Sequence, residues 1–190
     1  MDKKSLRKEY GKTLVKLGEK HPNLVVLDAD LAKSTKTIEF GKRFPDRFFD
    51  FGLSEQDMIG AAAGLALTNK IVFASTFAVF LTGRVYDQIR QSICYNEANV
   101  KLVSTHSGLD VGEDGATHQM LEDISLMRPL PGMKVFVPAD AIETVQIIEA
   151  VFKDPGPCYV RLIRNELPNV HSEDYRFEMG KASVLADGSD

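Results

Sequence analysis

The stretch Thr105 to Gln119 reads Thr-His-Ser-Gly-Leu-Asp-Val-Gly-Glu-Asp-Gly-Ala-Thr-His-Gln. It holds two histidines (His106 and His118), three acids (Asp110, Glu113 and Asp114) and three glycines. A loop that only joins two elements rarely concentrates so many titratable side chains; proton transfer and substrate recognition both call for them. The histidines stand twelve residues apart with no second His-rich segment. Zinc ligation is therefore not expected, and no metal site is assigned to this chain. Glu55, in Gly52-Leu53-Ser54-Glu55-Gln56-Asp57, sits where a strand pattern hands over to a helix. With Ser54 as N-cap and Asp57 as its N3 partner, Glu55 would be a first-turn acid favoured by the helix dipole. The helix that follows is apolar, however (Met58, Ile59, Ala61, Ala62, Ala63). A carboxylate among such residues has its charged form disfavoured, which suits it to move protons near neutral pH. Phe77 and Phe80 are either rim packing after the next strand or, beside a carboxylate, a sandwich for a flat heteroaromatic ring. Arg161 and Arg164 flank the last strand pattern, where a guanidinium makes a surface ion pair or a phosphate fork. His21 and His171 have plainer explanations, a helix end and a polar tail.

These groups need elements to position them. Leu6, Tyr10, Leu14 and Leu17 mark one face of a helix that stops at Lys20-His21-Pro22. Leu24 to Leu27 is apolar on both faces, the signature of a covered parallel strand. Phe48 to Phe51 reads as strand, Glu55 to Leu67 as helix and Ile71 to Ser75 as strand. Val85, Ile89 and Ile93 mark a helix, followed by strands at Val100 to Ser104 and Lys134 to Val137. Asp140 and Glu143 form a capping box ahead of a helix carrying Ile142, Val145, Ile148 and Val151. Cys158 to Leu162 closes the series. This alternation predicts an α/β fold, a mostly parallel sheet with helices on both faces. Ligands of such sheets bind at the carboxyl ends of the strands, here the loops after Leu27, Phe51, Ser75, Ser104 and Leu162. Gly60-Ala61-Ala62-Ala63-Gly64 predicts close backbone packing on its helix.

Composition narrows the classes. The 190 residues are 44% hydrophobic and 26% charged, with a net charge of −4. Mild acidity argues against duplex nucleic acid as the main partner. No apolar run approaches ~18 residues, so no membrane span is expected. The N-terminus has no apolar segment behind its charges, so no signal peptide is expected either. Cys94 and Cys158 make neither a CxxC unit nor a disulfide framework. A cytoplasmic enzyme or binding domain is the expectation. There is no GxGxxG after a strand and no Walker loop, so nucleotide readings lack support.

Taken together, Gly-Leu-Ser-Glu55-Gln, Ser-Thr-Phe77-x-x-Phe80, Thr-His106, Gly-Glu-Asp114-Gly-x-Thr-His118-Gln and Arg164-Asn-Glu-Leu-Pro resemble the pyrimidine-binding domain of transketolase, from about Arg7 to Pro168. The resemblance implies thiamine diphosphate as cofactor, with the organic chemistry supplied by the cofactor and position and electrostatics by the protein. Glu55 would hydrogen-bond the aminopyrimidine and help remove the thiazolium C2 proton, and Phe77 and Phe80 would form the ring's aromatic pocket. His118 would bond the donor sugar near its carbonyl, and Asp114 would read a sugar hydroxyl. His106, Arg164, Arg7 and Ser34 would hold the sugar phosphate. Ala116 stands where a proline is usual, and Gly83 where many relatives carry a third aromatic, which loosens the pocket.

The family's Gly-Asp-Gly…Asn element, which binds magnesium (or calcium) and the diphosphate, does not occur in this sequence. The resemblance therefore implies the C-terminal subunit of a split transketolase, inactive without an N-terminal partner that carries the diphosphate domain and the metal. It would homodimerise within a heterotetramer. Residues 1–180 would be the pyrimidine domain and 181–190 a linker or the start of a truncated third domain. Another thiamine diphosphate enzyme, such as deoxyxylulose-phosphate synthase or a 2-oxo-acid dehydrogenase β subunit, shares Glu55 and the Thr-Phe segment but not the Thr-His106 and Gly-Glu-Asp114-Gly combination. A non-catalytic interaction domain should have lost Glu55 or the loop histidines.

Overall fold

The computed structural model describes residues 3–186 and 188. Strand β1 (Lys3–Ser5) leads into α1 (Leu6–Lys20), where the Ser5 side chain accepts the Lys8 N–H. Next come β2 (Leu24–Asp28), the short helices α2 (Ala32–Thr35) and α3 (Ile38–Arg43), β3 (Phe48–Asp50), α4 (Glu55–Ala66) and β4 (Ile71–Phe77). The helix expected around Val85, Ile89 and Ile93 is present, but wide π turns at Val79–Arg84 and Ile89–Cys94 flank α5 (Tyr86–Gln88). Then follow β5 (Val100–Thr105), the acidic loop with a 3-10 turn at Gly112–His118, α6 (Asp123–Met127), β6 (Lys134–Phe136), α7 (Ala141–Lys153), β7 (Cys158–Arg161) and β8 (Glu166–Pro168).

Six strands form one parallel sheet in the order β3-β2-β4-β5-β7-β6. Its two faces follow from the strand period of two. Leu24 and Val26 of β2 point with Phe73, Val103 and Val160 toward α1 and α7. Val25 and Leu27 point with Val72, Ala74 and Leu102 toward α4 and the π-wound segment. Burial on both faces is why these strands are apolar runs without alternation. Asp140 accepts the Glu143 N–H at 2.8 Å while Glu143 accepts the Ala139 N–H at 2.8 Å, the expected reciprocal cap of α7. At the end of β2 the fully buried Asp28 accepts hydroxyls from Thr35 and Thr37 and the Leu31 N–H. Burial pushes its carboxyl up to about 6, against the pull of those donors. These bonds fix the short helix α2, which carries Ser34.

Other expectations need correction. Ser54 makes no side-chain cap on α4. Strand β4 runs two residues past Ser75, so Phe77 ends the strand rather than following it. Strands β1 and β8 pair antiparallel, a long-range contact that local patterning does not announce. The polar stretch after Pro168 is docked: Val170 N–H, His171 N–H and His171 Nδ1 all reach Asp140 Oδ2, and Tyr175 reaches Glu143. His171 is thus a buried tie and not a free polar tail. Of the expected linker 181–190, Asp187, Ser189 and Asp190 lie outside the described residues. No helix among the described residues is long and apolar enough to cross a membrane.

The GxxxG of α4 does not serve close packing within the chain. A Cβ on Gly60 or Gly64 would meet nothing within 4 Å, whereas one on Gly11 of α1 would lie 2.5 Å from the Lys36 carbonyl oxygen. Replacing a helical glycine by alanine normally stabilises by about 1 kcal/mol. Gly64→Ala should show that gain in urea unfolding. Gly11→Ala should instead lose about 1–3 kcal/mol, because a backbone carbonyl has to move to admit the methyl. Equal shifts for the two variants would contradict this packing assignment.

Candidate active site

The carboxyl ends of β2, β3, β4 and β5 surround a cleft of about 310 Å³. It lies where the strand order reverses around β2 and β4, the switch point at which neighbouring loops diverge to opposite faces. The cleft brings together Ser34, Glu55, Phe77, Phe80, Asp114 and His118, all expected from sequence, with Asp30 and Arg84, which were not. A larger cavity of about 560 Å³ between Tyr86 and Pro131 shares none of these residues.

Glu55 opens α4, yet its side chain turns inward and the residue is only 3% exposed. Its surroundings are not purely apolar, because Arg84 Nη1 donates to Glu55 Oε1 at 2.8 Å. The same guanidinium lies 4.3 Å from the centroid of the Phe80 ring. Arg84 thus bridges the carboxylate and the aromatic face. Residue 84 is four past residue 80, a spacing that stacks side chains on any helical turn; what escapes sequence reading is that the chain winds at once after β4, here as a π turn from Val79. An arginine close after an aromatic pair was the one available signal.

Phe77 and Phe80 are nearly parallel, with an interplanar angle of 10° and centroids 6.2 Å apart. A ring held between them needs roughly 7 Å, twice the ~3.5 Å of carbon–carbon contact. The pair is therefore a stack and does not sandwich a third ring. Phe77 is buried and stacks on His106 at 3.7 Å, while His118 meets Phe80 edge-on at 5.4 Å. The aromatic face on the cleft belongs to Phe80, beneath the Arg84 guanidinium.

The remaining expected residues form a cationic wall. Arg7 donates from Nη1 to the Ser34 carbonyl at 2.6 Å and from Nη2 to the Arg164 carbonyl at 3.0 Å, and its Nε is buried with no partner. Burial first, and then the Arg164 charge, push its pKa below the usual arginine range. The Arg164 guanidinium lies against Gly112, where a Cβ would sit 2.7 Å from Cζ; that position has φ +75°, so both space and backbone call for glycine. Arg161, by contrast, is committed to the buried Asp123 at 2.7 Å and serves structure. His106 adopts the left-handed region at φ 56°, which holds its ring on Phe77 beside the arginines. Such strain at a non-glycine residue is typical of a site that is held by its surroundings. Asp30, at φ 59°, repeats it across the cleft. Asp114 is exposed and His118 half-buried on the loop above. Among the described residues no group of three or more His, Cys, Asp or Glu side chains could hold a metal ion.

A buried carboxylate, an aromatic face and a histidine-bearing acidic loop meet at the switch point of a parallel sheet, with an arginine wall behind them, in an α/β domain. The chain belongs to the family described as transketolase, pyrimidine binding domain, which matches residues 2–170. It is 51% identical over 189 residues to a Methanocaldococcus jannaschii protein provisionally named transketolase C-terminal section, covering 98% of this chain and 60% of that protein. It is 38% identical over 185 residues to a 6-deoxy-6-sulfo-D-fructose transketolase subunit of Clostridium sp. strain MSTE9, covering 97% and 58%. Among solved structures, a split-gene transketolase described as an inactive β4 tetramer superposes with a TM-score of 0.88 at 52% identity, covering 98% of this chain and 60% of that one. The chain thus spans about three fifths of the length of these relatives.

Burial, aided by the charges of Arg7, Arg164 and His118, lowers the His106 pKa to about 3. An unfolded histidine titrates near 6.5, so between about pH 3 and 6.5 the unfolded chain binds the extra proton and stability falls as pH falls. Stability measured by urea unfolding at about pH 5 and pH 7.5 should drop more for the wild type than for His106→Gln. Parallel drops would show that His106 is not held neutral.

Proposed function

We propose that the chain is the pyrimidine-binding half of a transketolase, moving a two-carbon ketol unit from a ketose phosphate to an aldose phosphate with thiamine diphosphate. A partner subunit with the diphosphate domain would complete the site and hold the magnesium or calcium, and the chain alone would be inactive. The observation that carries this reading is the convergence of Glu55, Phe80, His118 and Asp114 on one cleft, with Arg7, His106 and Arg164 behind it. The residues fit the cofactor ring. Arg84 shows that one planar group can engage the Glu55 carboxylate and the Phe80 face at once, the two contacts a held ring would make, with a protonated Glu55 then donating to the ring nitrogen. When bound, the cofactor supplies the carbanion chemistry of two-carbon transfer.

The chain's own residues supply position and protons. Glu55 offers a buried carboxylate to hold or exchange a proton at a ring nitrogen. Phe80 offers the stacking face, and Phe77 backs Phe80 and His106 from the core. His118, on a loop over the cleft, reaches a substrate carbonyl or hydroxyl, and exposed Asp114 reads a further hydroxyl. Arg164 and Arg7, with neutral His106 and Ser34, hold the terminal phosphate, for which guanidiniums are charge-assisted planar donors. The name of the inactive β4 relative supports the need for a partner, and its tetramer supports an assembly that contains paired copies of this chain. Two free, buried cysteines support a reducing, cytoplasmic setting. The alternatives of another thiamine diphosphate enzyme or a non-catalytic domain lack support from relatives that are named transketolases.

The deciding experiment reconstitutes the chain with a diphosphate-domain subunit and follows hydrogen–deuterium exchange at the thiazolium C2 of bound cofactor. Glu55→Gln keeps shape and hydrogen bonding but cannot exchange a proton, so exchange should slow ~10²–10⁴-fold while association holds. An exchange rate within a few-fold of wild type would falsify the role of Glu55. In the same complex Arg164→Ala should cost about 1.5–3 kcal/mol, roughly ten- to a hundred-fold, with a phosphorylated donor and far less with hydroxypyruvate. Equal losses would return Arg164 to a structural role.

A further inference from the structure

We propose that Arg84 is an internal occupant of the ring subsite, which the cofactor's aminopyrimidine has to displace, so that Arg84 sets how tightly this subunit takes up its cofactor. The proposal rests on the roles of Glu55 and Phe80 given above. The two atoms groups that the ring needs are both taken: Glu55 Oε1 by Arg84 Nη1 at 2.8 Å, and the Phe80 ring by the guanidinium carbon at 4.3 Å. Phe80 is otherwise flanked by Phe77 and His118, so the guanidinium and an incoming ring compete for the same space.

The arrangement has a physical reason in the free subunit. A carboxylate as buried as Glu55 is strongly destabilised if left unpaired, and the guanidinium supplies both charge and planar donors. The same contact keeps the Glu55–Phe80 gap from collapsing. It is also built to open. The Arg84 side chain is 47% exposed, and Glu55 is its single salt-bridge partner among the described residues. Arg84 closes a π turn, a winding that recurs where a helix is adapted to a function. Arg84 and the Gly83 before it are both exposed, so the side chain can swing toward solvent. An equilibrium between a closed and an open Arg84 weakens apparent ring affinity by the open fraction.

The test titrates the full chain with 4-amino-5-hydroxymethyl-2-methylpyrimidine, the cofactor's ring without its diphosphate, and reads the dissociation constant by NMR. Arg84→Ala should bind this ring ~10-fold or more tightly than wild type, and Arg84→Lys, which keeps the charge but not the planar fork, should fall between them. Adding Glu55→Gln to Arg84→Ala should abolish the gain. Equal or weaker binding by Arg84→Ala, with wild-type binding still dependent on Glu55, overturns the displacement proposal alone and makes Arg84 a positioning residue. Absence of ring binding by every variant overturns the reading of the ring subsite and this proposal with it.

Discussion

All six strands of the main sheet run the same way, and the rest of the molecule follows from that constraint. A parallel strand can be reached only by a crossover, so each strand returns over a face of the sheet and both faces become core. The polar groups of the chain are thereby pushed to the strand ends and, at the carboxyl end, into the loops. The reversal of strand order around β2 and β4 parts those loops and leaves a cleft. Asp28 stiffens one wall by gathering Leu31, Thr35 and Thr37 at the end of β2. On the far side, Arg161 and Tyr159 meet buried Asp123 and fix α6, which follows the acidic loop, to β7.

The electrostatics of the cleft divide into two regions. One is a compensated pair, in which Glu55 is buried and Arg84 neutralises it. The other is a cationic wall, in which Arg7 and Arg164 approach each other with Asp110 and Glu166 nearby, and in which burial, and then the two arginines, hold His106 toward its neutral form. Phe77 links them, stacked on His106 at one side and on Phe80 at the other.

The family match over residues 2–170 takes in every strand of the sheet and every residue of the cleft. The chain spans about three fifths of the length of the relatives it matches.

The sequence by itself determined the class of fold and six of the residues that line the cleft. Leu24 to Leu27 is apolar on both faces whatever its partners, and Asp140 caps α7 through the Glu143 N–H three residues on; local chemistry is enough for both. The site residues cluster in short motifs for the same reason, since each loop follows its own strand. Only the tertiary structure decided the rest. The pairing of β1 with β8, the docking of His171 on Asp140 and the unpartnered Gly60 and Gly64 depend on contacts, or their absence, between segments far apart in sequence. Arg84 shows the limit most directly. Its meaning comes from helical winding directly after β4, which lays it on Phe80 four residues back, and from a helix start, twenty-nine residues before it, that turns Glu55 inward to meet it; no periodicity in the sequence encodes that second meeting.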